Sequence, residues 1–453
     1  MTVRAAHSPP HPSSRLGVLP FVLAACFNPS GTDTTTSGGS TAAASTSTTA
    51  ATPTTGTTEA SPTTTGDVTS ATTTASSGSS VDTVGTTAPE CAMDIDCPPD
   101  TPLCEGGTCG GCRYHTQCSI ACDIAEGRCF PELPATVEFV VEPSDTCQPC
   151  GNGTPCCSVN AAVAMITDSA AQYFQIRLPA GKSDDVSVKL GDALADKRIV
   201  IVGDGSSSAL LTGDAPAIDI DLSGTQPPHP RIYLWRLVIG GPGSSPSILC
   251  YGAPLWLDEV DMSSHLTGVA VNTSQCDVSI RRSSLLNNFT AIAGSGGGRI
   301  VLRDTLVGLS PAPAAELVLG DGLELDARYS TIVDADGGAS RLIQCSNAAS
   351  VRFENSIVVG KGDLDAVAGC DGVLSSEHSV LSPGNLQMSG VDNMTAVISD
   401  LPFSTDYRLM GTGGPAAAVA RWQIGDSPVD FDGTPRPTMD GAMDFAGADI
   451  PTP

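Results

Sequence analysis

Arg299–Ser310 reads RIVLRDTLVGLS, and the layout of this stretch returns along more than half of the chain. Ile300 and Leu302 are apolar, Thr305 carries a hydroxyl and Val307 is apolar, giving offsets of two, three and two. The same offsets appear at Leu255, Leu257, Val260 and Met262, at Val278, Ile280, Ser283 and Leu285, at Leu325, Ala327, Ser330 and Ile332, and at Val351, Phe353, Ser356 and Val358. Weaker copies start at Ile232 and Leu374. From Ile232 on, successive units begin 23, 23, 22, 25, 26 and 23 positions apart, the mark of a repeat architecture.

A turn of that length is too short for a strand, a helix and a return, but it suits three short strands joined by bends. Second strands fall at Thr267–Val271, Thr290–Ala293 and Glu316–Leu319. Stacking such turns pairs each strand with its copy ~4.8 Å above and below, around a continuous interior. The sequence therefore predicts an all-β parallel β-helix solenoid of about nine coils, beginning at Ile176, Ile199, Ile232, Leu255, Val278, Ile300, Leu325, Val351 and Leu374. The wider gap between Ile199 and Ile232 places an insertion between Gly205 and Pro230. Ala161–Ala171, with apolar residues at helical spacing after Ser158 and Asn160, reads as an N-terminal capping helix. Ser283, Thr305, Ser330, Ser356 and Ser379 form an inward hydroxyl column, expected to hydrogen-bond from one side chain to the next. Pointing into the core, these serines are poor nucleophiles.

The chain of 453 residues is 40% hydrophobic but only 4% aromatic, and its net charge of −27 repels a nucleic-acid backbone. Its 17 cysteines point to disulfides formed outside the cytoplasm. Residues 1–25 carry Arg4, Arg15 and the short apolar run LGVLPFVLAA, the pattern of an export signal. Leu23-Ala24-Ala25-Cys26 resembles the lipobox of bacterial lipoproteins, which implies lipidation at Cys26, and Phe27 after it implies sorting to the outer membrane. Residues 26–88 are mostly Ser, Thr, Ala, Gly and Pro and read as a disordered tether, with ends ~40 Å apart as a coil and up to ~180 Å apart when extended. Residues 89–131 hold Cys91, Cys97, Cys104, Cys109, Cys112, Cys118, Cys122 and Cys129, a module stapled by disulfides in place of an apolar core. Zinc on Cys109, Cys112 and His115 is the weaker reading, because no second well-spaced pair completes the set. Cys147, Cys150, Cys156 and Cys157 make a second cluster within a linker and cap at 132–175, and Cys250, Cys276, Cys345 and Cys370 are placed to join adjacent coils.

The Cys-rich stretch resembles the small modules that precede surface domains in myxobacterial lipoproteins. DYRLMGTGGPAAA from Asp406 and DFDGTPRPTMDGAMDFAGAD from Asp430 resemble the ending of right-handed parallel β-helix proteins of the pectin-lyase-like superfamily, bacterial surface forms in particular. That resemblance implies a right-handed coil over 176–385 and a closing tail over 386–453. Many proteins of the superfamily cleave uronate polymers, yet none of its catalytic motifs matches here residue by residue. Asp430/Asp432 and Asp334/Asp336 begin like calcium loops but do not continue as such, and turn formation accounts for them.

Between the inward pairs lie two residues expected to face outward: Trp235/Arg236, Asp258/Glu259, Arg281/Arg282, Arg303/Asp304, Arg328/Tyr329, Glu354/Asn355 and Glu377/His378. Arg281, Arg303 and Arg328 stack at one offset, so they need acidic partners or a ligand. Asp258, Glu354 and Asp304 are the expected partners. The sharper reading is a noncatalytic strip of Trp235, Asp258, Arg281, Arg282, Arg303, Arg328 and Tyr329 that binds an acidic polysaccharide or another surface partner. A polysaccharide lyase or hydrolase using Asp258, Glu259 and Asp261 with Arg281 and Arg282 is the competing class, and a structural spacer is a third. Nothing in the sequence requires a cofactor.

Overall fold

The period-two alternation of each repeat turns its apolar residues to one side, and stacking seals them from water. The structure, a computed structural model, describes residues 91–451 apart from 92, 100, 106–107, 145, 147–149, 152, 185–186, 206–207, 212–214, 223, 225–226, 241–244, 263–268, 309–314, 335–340, 347–348, 361–366, 371–373 and 384–389. The signal, Cys26, the tether, Cys147 and Asp336 thus lie outside the described residues.

Three parallel sheets run the length of a solenoid. The first has ten strands: Thr136–Val140, Tyr173–Leu178, Arg198–Gly203, Arg231–Trp235, Pro254–Asp258, Asp277–Arg281, Arg299–Arg303, Glu324–Arg328, Ser350–Glu354 and Leu374–Glu377. The second has eight strands, from Val188–Gly191 to Val367–Ala368. The third face is built of three strands and then six, the two groups bridged through Asp261 to Val238 and Ser284. The register follows the repeat: Ile300 lies beside Val278 and Leu325, and Leu302 beside Ile280 and Ala327. Ile300, Leu302, Thr305 and Val307 are all buried. Fully burying an Ile, Leu or Val side chain such as these contributes about 1.5–3 kcal/mol.

The first coil differs from expectation. Ile199 pairs with Phe174 and Ile201 with Ile176, so the register is displaced by two residues. Phe174, Ile176 and Leu178 alternate, and a slip of two keeps every side chain on its own face, so pattern alone does not choose between them. Thr136–Val140 adds a parallel strand before this coil, inside the stretch assigned to a linker. The helix α1, Val159–Thr167, starts earlier and ends sooner than predicted. Ser158 Oγ accepts from the Ala161 amide at 3.1 Å, satisfying one of the open N–H groups of the first turn. Its Val159, Ala162, Val163 and Ile166 join the solenoid core.

Seven disulfides are described: Cys91–Cys104, Cys97–Cys109, Cys112–Cys122, Cys118–Cys129, Cys150–Cys156, Cys250–Cys276 and Cys345–Cys370. Cys157 is also oxidised. Cys109 and Cys112 are therefore committed to sulfur, and His115 Nδ1 accepts from the Cys122 amide at 3.1 Å, which removes the zinc set.

The hydroxyl column is buried but wired differently from expectation. Ser283, Ser356 and Ser379 Oγ accept the amides of Val260, Ser330 and Ser356 in the preceding coil, at 3.0, 3.2 and 3.1 Å. Each hydroxyl then donates to a carbonyl two residues back, as Ser356 does to Glu354 at 2.9 Å. The side chains thus repair the backbone where the chain turns out of the first sheet, and do not bond to one another. Ser356→Ala strands the buried Ser330 amide and should cost about 1–3 kcal/mol in urea unfolding, whereas Ser356→Thr, which keeps the hydroxyl, should cost less than half of that.

Candidate functional site

The second member of every outward pair is a left-handed corner. Arg236, Glu259, Arg282, Asp304, Tyr329, Asn355 and His378 have φ between 43° and 55°, and none is β-branched. Such a conformation costs a residue with a Cβ of order 1–3 kcal/mol. Cross-coil bonds offset it: the Arg236, Glu259 and Arg282 amides donate to the Asp258, Arg281 and Arg303 carbonyls at 3.0–3.1 Å, and the corners that follow do the same. These corners form a ridge along the solenoid.

The ridge is not open. The Cys-rich module lies over the outward face of the first sheet beside the ridge's first half and reaches the ridge itself at Arg282. Asp123 is buried and accepts from Arg231 at 2.7 Å, Arg198 at 3.1 Å and the Tyr233 hydroxyl at 2.6 Å. Phe130, Ala121, Ile120 and Ile124 pack on Val200, Val202, Tyr233 and Trp235. His115 sits in the same layer, its ring 5.1 Å from Trp235 and edge-on to Tyr233. Burial first, then the Arg281 and Arg282 guanidiniums, pushes the His115 imidazole down to about 3, so it is neutral at physiological pH.

The C-terminal segment covers the second half. Arg436 is fully buried; it donates to Asp304 at 3.0 Å and Asp444 at 3.1 Å, and its guanidinium lies 3.9 Å over the Tyr329 ring. Asn355 exchanges two hydrogen bonds with the Arg421 backbone, and Ala448 donates its amide to Thr331 Oγ1. Gly447 has φ +96°, and a Cβ there would sit 2.7 Å from Ile357 Cδ1, so the tail lies against the coil backbone. Asp430 accepts from the Asp432, Thr434 and Ile450 amides, as a turn former does. Burial, reinforced by Asp430 and Asp432, pushes Asp449 up to about 7.

The expected strip is therefore corrected. Trp235, Asp258 and Tyr329 are buried rather than open. Asp258 is held by Arg282, whose guanidinium also faces the Tyr114 ring at 4.8 Å. Arg281, Arg303 and Arg328 do stack in register, but Asp258 and Asp304 do not serve them. Arg303 pairs with Asp326 at 3.1 Å, Arg328 with Glu354 at 3.1 Å, and Arg281 donates to the Arg113 carbonyl at 2.8 Å. Asp326, which also meets Arg299 at 2.8 Å, was missed although alternation alone sends it outward between Leu325 and Ala327.

What remains open is a cleft of about 720 Å³ where module, ridge and tail meet, with Thr116 on the module wall, Arg236, Glu259 and Arg282 on the ridge, and Arg408, Phe431 and Asp432 on the tail. Val260, Leu286 and Leu306 form its apolar floor. Glu259 pairs with Arg236 at 2.7 Å and Arg282 at 2.9 Å, and Arg408 pairs with Asp406 at 3.0 Å and with Asp432. The Ser404 hydroxyl, with Arg408, holds Asp406 below the usual carboxylate range. A scan against protein-family models finds no match, and a search of curated proteins finds none either.

His115 gives the module contact a pH dependence. Its folded pKa lies below the ordinary 6.5, so its contribution is complete above about 6.5 and is lost as pH falls toward 3. Melting temperature should drop between pH 7 and pH 4, and His115→Asn, which keeps an acceptor for the Cys122 amide but does not titrate, should flatten that drop.

Proposed function

We propose that this chain is an exported, lipid-anchored surface protein whose tether holds a noncatalytic parallel β-helix clear of the outer membrane, and that the cleft between module, ridge and tail binds glycan. In this reading the solenoid is a right-handed coil of about nine repeat-bearing turns, capped by α1 and stapled by the Cys-rich module. Two or three acyl chains on Cys26, at ~0.8 kcal/mol per buried methylene, would anchor it stably.

The observation that carries the binding reading is the paired state of the cleft. Its guanidiniums and carboxylates fix one another, so donors and acceptors stand preorganised at alternating positions beside an apolar floor. Such walls suit the hydroxyls and C–H faces of a sugar. Catalysis would instead need a carboxyl tuned toward neutral pH and facing the scissile bond. Asp406 is shifted the other way, and Asp258 is buried beneath Arg282. Asp449 and Asp304, raised by burial to about 7 and about 6, are not part of the cleft wall, and Asp304 is engaged by Arg436.

The full chain in detergent, applied to a panel of immobilised polysaccharides, should be retained by at least one without shortening it. Glu259→Ala and Arg408→Ala should each reduce retention about tenfold, while chain cleavage in the same assay would establish an enzyme and retention by none a spacer. Cys26→Ser should release the protein from the membrane fraction, and continued membrane association would remove the lipid anchor from the account.

A further inference from the structure

A second cavity, of about 130 Å³ and lined in part by Tyr114, lies where module, solenoid and tail meet. Arg113 and Tyr114 reach it from the module, Arg281 and Arg303 from the first sheet, Asp304 from the ridge and Ser427 from the tail. Three arginines thus line one cavity in a chain of net charge −27.

The nearby carboxylates are already engaged. Asp304 receives the Arg436 fork at 3.2 and 3.0 Å. Asp326 lies 3.1 Å from Arg303 and 2.8 Å from Arg299, so one negative charge serves two positive ones, while Arg328 is held chiefly by Glu354 at 3.1 Å. Arg281 donates one Nη1 bond to the Arg113 carbonyl, and its Nε is buried with no acceptor among the described residues. A buried donor without an acceptor costs about 1–3 kcal/mol, more when charged, so the site favours a group that supplies one. Like charges on neighbouring strands are also destabilising, and an anion between Arg281 and Arg303 reverses that. The volume is about that of four water molecules, room for one tetrahedral or planar oxyanion together with a water.

We propose that this pocket binds a single oxyanion group, a sulfate, phosphate or carboxylate, received by the Arg281 fork with Arg113 and Arg303 completing the positive wall. Guanidinium suits this role because its planar donors match two oxygens at once. The anion arrives either free or as a substituent of a chain lying in the cleft, since Arg282 both lines the cleft and covers the Tyr114 ring. The proposal does not depend on the glycan reading, because its probe is an inorganic ion.

Calorimetric titration of the full chain in detergent with sodium sulfate, ionic strength held constant with chloride, should give one saturable site. Arg281→Ala should weaken it at least tenfold and Arg281→Lys several-fold, while Arg352→Ala, on the same face outside the pocket, should leave it unchanged. If Arg281→Ala fails to fold, Arg281→Lys alone decides. Absence of saturable binding, or wild-type affinity in the Arg281 variants, overturns the proposal. A parallel titration with a sulfated oligosaccharide and its desulfated form identifies the source: a tenfold gain over sulfate that desulfation abolishes means a chain substituent, and equal affinity means the free ion.

Discussion

One backbone constraint organises this molecule: at the same place in seven successive coils a residue with a side chain is held in the left-handed region. Each such residue turns the chain from the first sheet toward the third, and none relaxes alone, because its amide is bonded to the coil that follows. The Ser and Thr column beside it exists for the same reason. Where the turn takes an amide out of the sheet ladder, the next coil's hydroxyl accepts it. The strain is shared along the whole stack.

The corners also project side chains, and those are what the rest of the chain binds. Arg282 meets Tyr114 of the Cys-rich module, Asp304 and Tyr329 meet Arg436 of the tail, and Asn355 meets the backbone of Arg421. Tyr114 and Ser427, 2.8 Å apart through their hydroxyls, join module to tail. Breaking a buried ion pair such as Asp304–Arg436 typically costs about 3–5 kcal/mol, since it leaves a charge without water or partner. Module and tail therefore act as clamps as well as walls. They bury Asp304, Tyr329 and Asn355 of the ridge and leave Arg236, Glu259 and Arg282 facing the cleft, with the arginine-lined pocket beside it.

The solenoid was legible because its determinants are local and repeated. Ile300, Leu302, Thr305 and Val307 announce their direction through spacing alone, and stacking follows from the recurrence of that spacing. The starting register failed where Phe174, Ile176 and Leu178 alternate without a corner signal to fix the phase. The ridge itself left only a faint trace, the absence of β-branched residues at seven positions, since Arg, Glu, Asp, Tyr, Asn and His tolerate the conformation without demanding it. The covering of Trp235, Asp258 and Tyr329 left no periodic trace at all. Asp123 and Tyr233 are 110 residues apart, and Asp304 and Arg436 are 132 apart, so no local pattern links them. A hint lay in composition: in a chain with 3 Trp, Trp235 and Trp256 fall in consecutive repeats beside Tyr233, an apolar surface that needs a cover.

The central claim is that module and tail close over the ridge, and side-chain oxidation tests it most directly. Hydroxyl-radical footprinting of the oxidised full chain compares residues of one chemistry: Tyr233 and Tyr329 at 0% and 1% exposure, and Tyr251 at 36%. The account predicts that Tyr251 is modified readily while Tyr233, beneath the module, and Tyr329, beneath Arg436, are protected by at least tenfold. Modification of Tyr233 and Tyr329 at the rate of Tyr251 would contradict it, because the ridge would then be open and both the cleft and the pocket would lose a wall.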